Sequence, residues 1–140
     1  MSGRDFLIFA KTLYTSDDEA ARRTSVSRAY YALYHHVREN LILSGIRVTT
    51  KPEEHQRMVR YLKNSGIEDA KFVGEQMNDI REKRNNADYE LNDSSFNKNT
   101  CALYCSITET LFNQLDSVDK QSLKDGLIQY AKLVNEPYNL

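Results

Sequence analysis

Between Thr15 and Gly45 the chain reads TSDDEAARRTSVSRAYYALYHHVRENLILSG, and the reading of this stretch decides the fold. Thr15, Ser16, Asp17 and Asp18 are side chains that accept hydrogen bonds from the free N–H groups at a helix start. Asp17, Asp18 and Glu19 also place negative charge at the positive end of the helix dipole. Val26, Tyr30, Leu33, Val37 and Leu41 then recur at three- and four-residue steps, which is the repeat of one helix face. Gly45 stops the pattern after Ser44, because glycine adopts the left-handed conformation that closes a helix. The segment is the longest helix of the chain and points to an all-α protein.

Outward from this segment the same logic gives about five to six helices in 140 residues. The first, from about Gly3 to Leu13, carries Phe6, Phe9, Ala10 and Leu13 as an amphipathic stripe. A third starts with Pro52 in its first turn, carries Met58, Val59, Tyr61 and Leu62, and ends at Asn64-Ser65-Gly66. A fourth runs from about Glu68 to Ala87 with Ala70, Val73, Met77 and Ile80 in phase, and breaks into Asn92-Asp93-Ser94-Ser95. The fifth, from about Asn97 to Leu115, sets Cys101, Tyr104, Cys105, Thr108, Phe112 and Leu115 on one face. The last, from about Asp119 to Val134, presents Leu123, Leu127, Tyr130 and Val134. The expected architecture is an antiparallel helical bundle forming one domain over 1–140, with 119–134 as a C-terminal accessory helix.

Composition narrows the function classes. Two Pro and five Gly are too few for the turns of an all-β fold, and 40% hydrophobic residues are too many for a disordered chain. No stretch approaches the ~18 apolar residues of a membrane span, and Phe6 to Ala10 is too short for a signal-peptide core, so the expectation is a cytoplasmic protein with no membrane partner. A net charge of −1 excludes bulk polycation binding to nucleic acid, so any such contact must be local. Cys101 and Cys105 are expected to be buried free thiols. Adjacent His35 and His36 point about 100° apart on a helix, which disfavours a shared metal, and neither a metal nor another cofactor is expected. Phosphate-binding Gly-rich loops, nucleophile elbows and paired-His zinc motifs are absent.

The fourth helix carries the sharpest anomaly. Its apolar phase continues through Arg84 to Ala87, so a guanidinium occupies a position that the pattern reserves for the core or an interface. Asp88 lies four residues on and can pair with it, while Arg81, Asn85 and Tyr89 complete a cluster. On the long helix, Ser27, Tyr31, Tyr34, His35 and Arg38 form a second stripe that mixes rings with hydrogen-bonding tips. Such a face suits a second protomer, or stacking and hydrogen bonding to a nucleotide. An intrahelical ion pair and an amphipathic interior face are the structural alternatives.

The run Ser27-Arg28-Ala29-Tyr30-Tyr31-Ala32-Leu33-Tyr34-His35, the Glu54-His55 pair, and Arg81-Glu82-Lys83-Arg84-Asn85-Asn86-Ala87-Asp88-Tyr89 together resemble the HEPN family (higher eukaryotes and prokaryotes nucleotide-binding). The resemblance covers roughly residues 4 to 115 and is closest to small prokaryotic members ending this motif in Ala-Asp-Tyr. It implies a compact, usually homodimeric helical bundle, found in toxin–antitoxin and phage-defence systems, often beside a nucleotidyltransferase partner. Many members are metal-independent endoribonucleases using an Arg, a polar residue and a His. Arg84 and Asn85 match the first two positions, whereas Asp88 and Tyr89 stand where the His is expected. Three readings follow. The first is a dimeric module with a degenerate site that binds RNA, a nucleotide or a protein partner, with Tyr89, Ser27, Tyr31, His35 and Arg38 as binding residues. The second is an active endoribonuclease using Arg84, Asn85 and Asp88, helped by Arg81. The third is a purely structural helical adaptor.

Overall fold

A computed structural model describes residues 1–140 and contains six helices: α1 (Gly3–Leu13), α2 (Glu19–Leu43), α3 (Glu54–Lys63), α4 (Glu68–Tyr89), α5 (Lys98–Asp116) and α6 (Lys120–Leu133). The fold is an all-α bundle. Its internal packing divides the chain into two compact units, Met1–His36 with Met77–Phe112, and Val37–Gln76 with Asn113–Leu140.

In the first unit, Val26 and Ala29 of α2, Ala87 of α4, and Cys101 and Cys105 of α5 are buried at 2% exposure or less, and Phe96 from the α4–α5 loop joins them. The α1 face is not the stripe read from the sequence. Gly3, Leu7 and Ala10 face inward, while Phe9 is half exposed and Phe6 and Leu13 are only partly covered. Phe6 to Ala10 is apolar all round, so periodicity gives α1 no unique phase. Small residues decide it, because a Cβ at Gly3 would press against the backbone oxygen of Ala32.

Arg23 binds this unit together. It lies on the α2 seam one turn before Val26, is only 6% exposed, and stacks 4.8 Å from the Phe96 ring centre. Its Nη1 donates to the carbonyls of Ala87 (3.0 Å), Glu90 (3.1 Å) and Asn86 (3.4 Å), and its Nη2 to those of Asp93 (2.6 Å) and Leu91 (3.3 Å). The last turn of α4 has no basic residue of its own. Arg23 therefore supplies the cation and donors that the free carbonyls of that helix end require. Arg22 acts similarly, donating from Nε to Phe96 O (2.9 Å) and from Nη1 to the carbonyls of Ser16 and Asp17 (3.0 Å each).

In the second unit, Met58, Val59, Tyr61 and Leu62 of α3 are buried, as are Leu123, Leu127 and Ala131 of α6, and Tyr61 meets Tyr130 edge to face at 4.9 Å. Gly126 lets α6 approach the α3–α4 connection, where any Cβ would collide with the Ser65 carbonyl. The α3 helix begins at Glu54, two residues after the expected Pro52 start, because Glu54 is held from outside. Its carboxylate accepts from the N–H of Thr49 (2.8 Å), from the Thr49 hydroxyl and from Arg57 Nη1 (2.7 Å). Arg57 Nε reaches Glu136 at 3.3 Å, and the Tyr61 hydroxyl donates to Glu136 at 2.7 Å, so the C-terminal segment is fastened to α3. Val134, expected on the apolar face of α6, instead caps that helix at 40% exposure.

Candidate functional site

The candidate site lies wholly within the first unit, where α2 and α4 bring tyrosines and arginines together, and α1 adds Phe6. The guanidinium of Arg84 sits 5.0 Å from the ring centre of Tyr30 and 5.4 Å from that of Tyr31. The guanidinium of Arg28 sits 5.3 Å from Tyr31 and 5.5 Å from Phe6. Phe6, Arg28, Tyr31, Arg84 and Tyr30 therefore alternate ring and cation. Arg28 precedes Tyr31 by one turn on α2, so helical spacing alone sets that contact. Farther along α2, His35 stacks on Phe6 at 5.3 Å and meets Tyr34 edge to face at 5.4 Å.

Hydrogen bonding is what sets this cluster apart. The Nε atoms of Arg28, Arg81 and Arg84 are all buried and have no hydrogen-bond partner; the Nε of Arg23 shares that state, but its terminal nitrogens are engaged by carbonyls. An ion pair joins Arg84 to Asp88, with Nη1 3.8 Å from Asp88 Oδ2. The same Asp88 oxygen accepts a 3.4 Å hydrogen bond from the Ser27 hydroxyl. Burial pushes the Tyr30 hydroxyl up to about 12, against the opposing pull of Arg81 and Arg84, so it stays a neutral phenol and offers no compensating charge. Each orphaned buried donor costs about 1–3 kcal/mol. Such groups are rare in folded proteins, and an ordered water, an ion, a ligand or a catalytic role accounts for them.

Several residues read from the sequence meet here: Arg81, Arg84 and Asp88 on α4, and Ser27, Tyr31 and His35 on α2. Asn85 is half-buried and makes none of these contacts. Tyr89 is 73% exposed at the end of α4. Arg38 belongs to the second unit and takes no part in this cluster. Sequence reading misses three contributors: Arg28, Phe6 and Tyr30. Arg28 stands three and seven residues before Tyr31 and His35, so the stripe that selects those two also contains it. Phe6 carries no such signal, because its role depends on how α1 meets α2.

The arrangement can hold an anion on guanidinium donors and stack a planar base on its rings. Asp88 can accept a proton beside a cationic stabiliser, and α4 carries no imidazole to donate one. No three His, Cys, Asp or Glu side chains come together as a metal-binding group. Cys101 and Cys105 are buried free thiols, and burial pushes Cys105 up to about 11, which removes it as a nucleophile near neutral pH. No helix is long and apolar enough to cross a membrane. No protein-family model, curated protein or solved structure matches the chain.

Proposed function

We propose that this chain is a HEPN-like RNA-binding module, dimeric, working in a bacterial or archaeal toxin–antitoxin or phage-defence system. The observation that carries the reading is the set of three buried, unpartnered Nε donors on Arg28, Arg81 and Arg84, of which Arg28 and Arg84 interleave with Phe6, Tyr30 and Tyr31. Guanidiniums recognise phosphate through their planar forks, and aromatic rings beside them stack unpaired bases, a combination typical of single-stranded RNA recognition. The motif residues behind the resemblance, Arg84 and Ser27 to His35, supply most of the cluster. The missing His at the Asp88 and Tyr89 positions supports binding without efficient cleavage.

Fluorescence anisotropy with a labelled single-stranded oligoribonucleotide and with transfer RNA tests the reading. Replacing Arg84 by Ala should weaken binding by about tenfold or more, the value of one charged hydrogen bond. It should also lower the salt dependence by about 0.7 for each phosphate that the protein no longer neutralises. Unchanged affinity and salt slope in a folded Arg84→Ala protein would refute it. A second reading, metal-independent RNA cleavage, draws on the Ser27–Asp88–Arg84 arrangement, in which a carboxylate held by a hydroxyl sits 3.8 Å from a guanidinium. Cleavage that survives EDTA and is lost in Arg84→Ala would replace the binding reading with that one. Light scattering at tens of micromolar tests the dimer, and a monomeric mass would remove it from the proposal.

A further inference from the structure

The charge balance of the cluster selects among phosphate ligands. Arg28, Arg81 and Arg84 bring three fixed positive charges, and Asp88 brings the carboxylate that pairs with Arg84. The neutral Tyr30 leaves the surplus at two positive charges. The three cations also surround one place. Arg28 and Arg84 both lie against the Tyr31 ring, Arg81 stands one turn before Arg84 on the same side of α4, and the Tyr30 and Tyr31 rings are 5.0 Å apart.

An internal phosphodiester carries a single negative charge and would leave one half-buried guanidinium uncompensated. A phosphomonoester carries about −1.5 to −2 at neutral pH and offers three strong acceptor oxygens, which match three guanidiniums and a surplus of two. Resting on the RNA-binding reading above, we propose that this site takes the terminal phosphomonoester of an RNA strand, with Arg28 and Arg81 joining Arg84 on the dianionic end. The ring ladder then receives the terminal base. His35, exposed and stacked on Phe6, extends that platform toward solvent.

The test uses one labelled oligoribonucleotide sequence in three forms: with a 5′-monophosphate, with a 3′-monophosphate, and with hydroxyl groups at both ends. One phosphorylated form should bind on the order of tenfold more tightly than the hydroxyl form. That preference should vanish in Arg28→Gln and in Arg81→Gln, checked for wild-type melting by circular dichroism. Should Arg28→Gln fail to fold, Arg28→Lys keeps the charge without the fork and should lose part of the preference. Equal binding of all three forms, or a preference untouched by these substitutions, overturns the terminal-phosphate inference while leaving RNA binding intact. Failure to bind any form overturns both. Adenosine monophosphate competing as strongly as the phosphorylated strand assigns the site to free nucleotide and overturns the RNA-end assignment.

Discussion

Arg23→Met should be among the most destabilising single changes in this protein. Methionine retains most of the arginine stem and its packing against Phe96, so the substitution removes the donors while leaving little cavity. Three of the hydrogen bonds it removes are short, to the carbonyls of Ala87 (3.0 Å), Glu90 (3.1 Å) and Asp93 (2.6 Å). A hydrogen bond to a charged group contributes about 1.5–3 kcal/mol, but the three share one guanidinium, and water can reach the loop carbonyls once it is gone. A net loss of about 3–4 kcal/mol follows from discounting the sum accordingly. For a chain of this size that lowers the melting temperature by roughly 10 °C. Urea unfolding followed by far-UV circular dichroism gives the free energy, and native-state hydrogen exchange should show the last turn of α4 opening first. A loss below about 1 kcal/mol would refute the idea that Arg23 closes that helix end.

In the second unit, burial alone would raise Glu54 and Glu136, yet hydrogen bonds from Thr49 and Arg57 to the first, and from Tyr61 and Arg57 to the second, hold both below the usual carboxylate range. Their contribution is therefore complete above the unfolded value of about 4.3 and disappears as pH falls through the depressed folded values. Glu136→Gln should flatten the fall of the urea midpoint between pH 5 and pH 3, and an unaltered pH profile would remove Glu136 from the network. Gly126→Ala should cost about 1–3 kcal/mol, because its Cβ meets the Ser65 backbone carbonyl and not a movable side chain. A stability equal to wild type in urea would contradict that close approach.

The helices are legible in the sequence because each has strong punctuation and one apolar face. The boundaries expected for α1, and the Gly45 stop of α2 with its positive φ of 92°, agree with the structure. The α4 helix runs two residues beyond the expected Ala87, to Tyr89, because Arg23 supports its final carbonyls from another helix. Such support depends on residues more than sixty positions away and leaves no local trace. The α1 face escapes a sequence reading for a related reason, since its phase is set by the close approach of Gly3 to α2 and not by its own periodicity. Within the site, helical spacing makes one pairing readable, Arg84 with Asp88. The meeting of Arg84 with Tyr30 and Tyr31, and of Phe6 with Arg28, depends on tertiary packing.

Two arginines occupy apolar-seam positions, Arg23 on α2 and Arg84 on α4, and from sequence they are the same anomaly. The structure separates them at the terminal nitrogens, because both Nε atoms are buried without a partner: those of Arg23 donate to five carbonyls, whereas Arg84 pairs with one carboxylate at 3.8 Å. The same substitution should therefore act in opposite ways. Arg84→Met removes an orphaned buried donor, a relief of about 1–3 kcal/mol. It also forfeits cation–π contacts with two tyrosines, about 0.5–2 kcal/mol, which methionine sulfur partly replaces. Stability should stay within about 1 kcal/mol of wild type, against the large loss at Arg23. RNA affinity should nonetheless fall by about tenfold or more, as expected when a charged hydrogen bond is removed. A group that adds little to folding but is needed for binding is what a functional residue in a core position looks like. If Arg84→Met unfolds the protein as Arg23→Met does, Arg84 is a structural tie, and the cluster loses its claim to be a binding site.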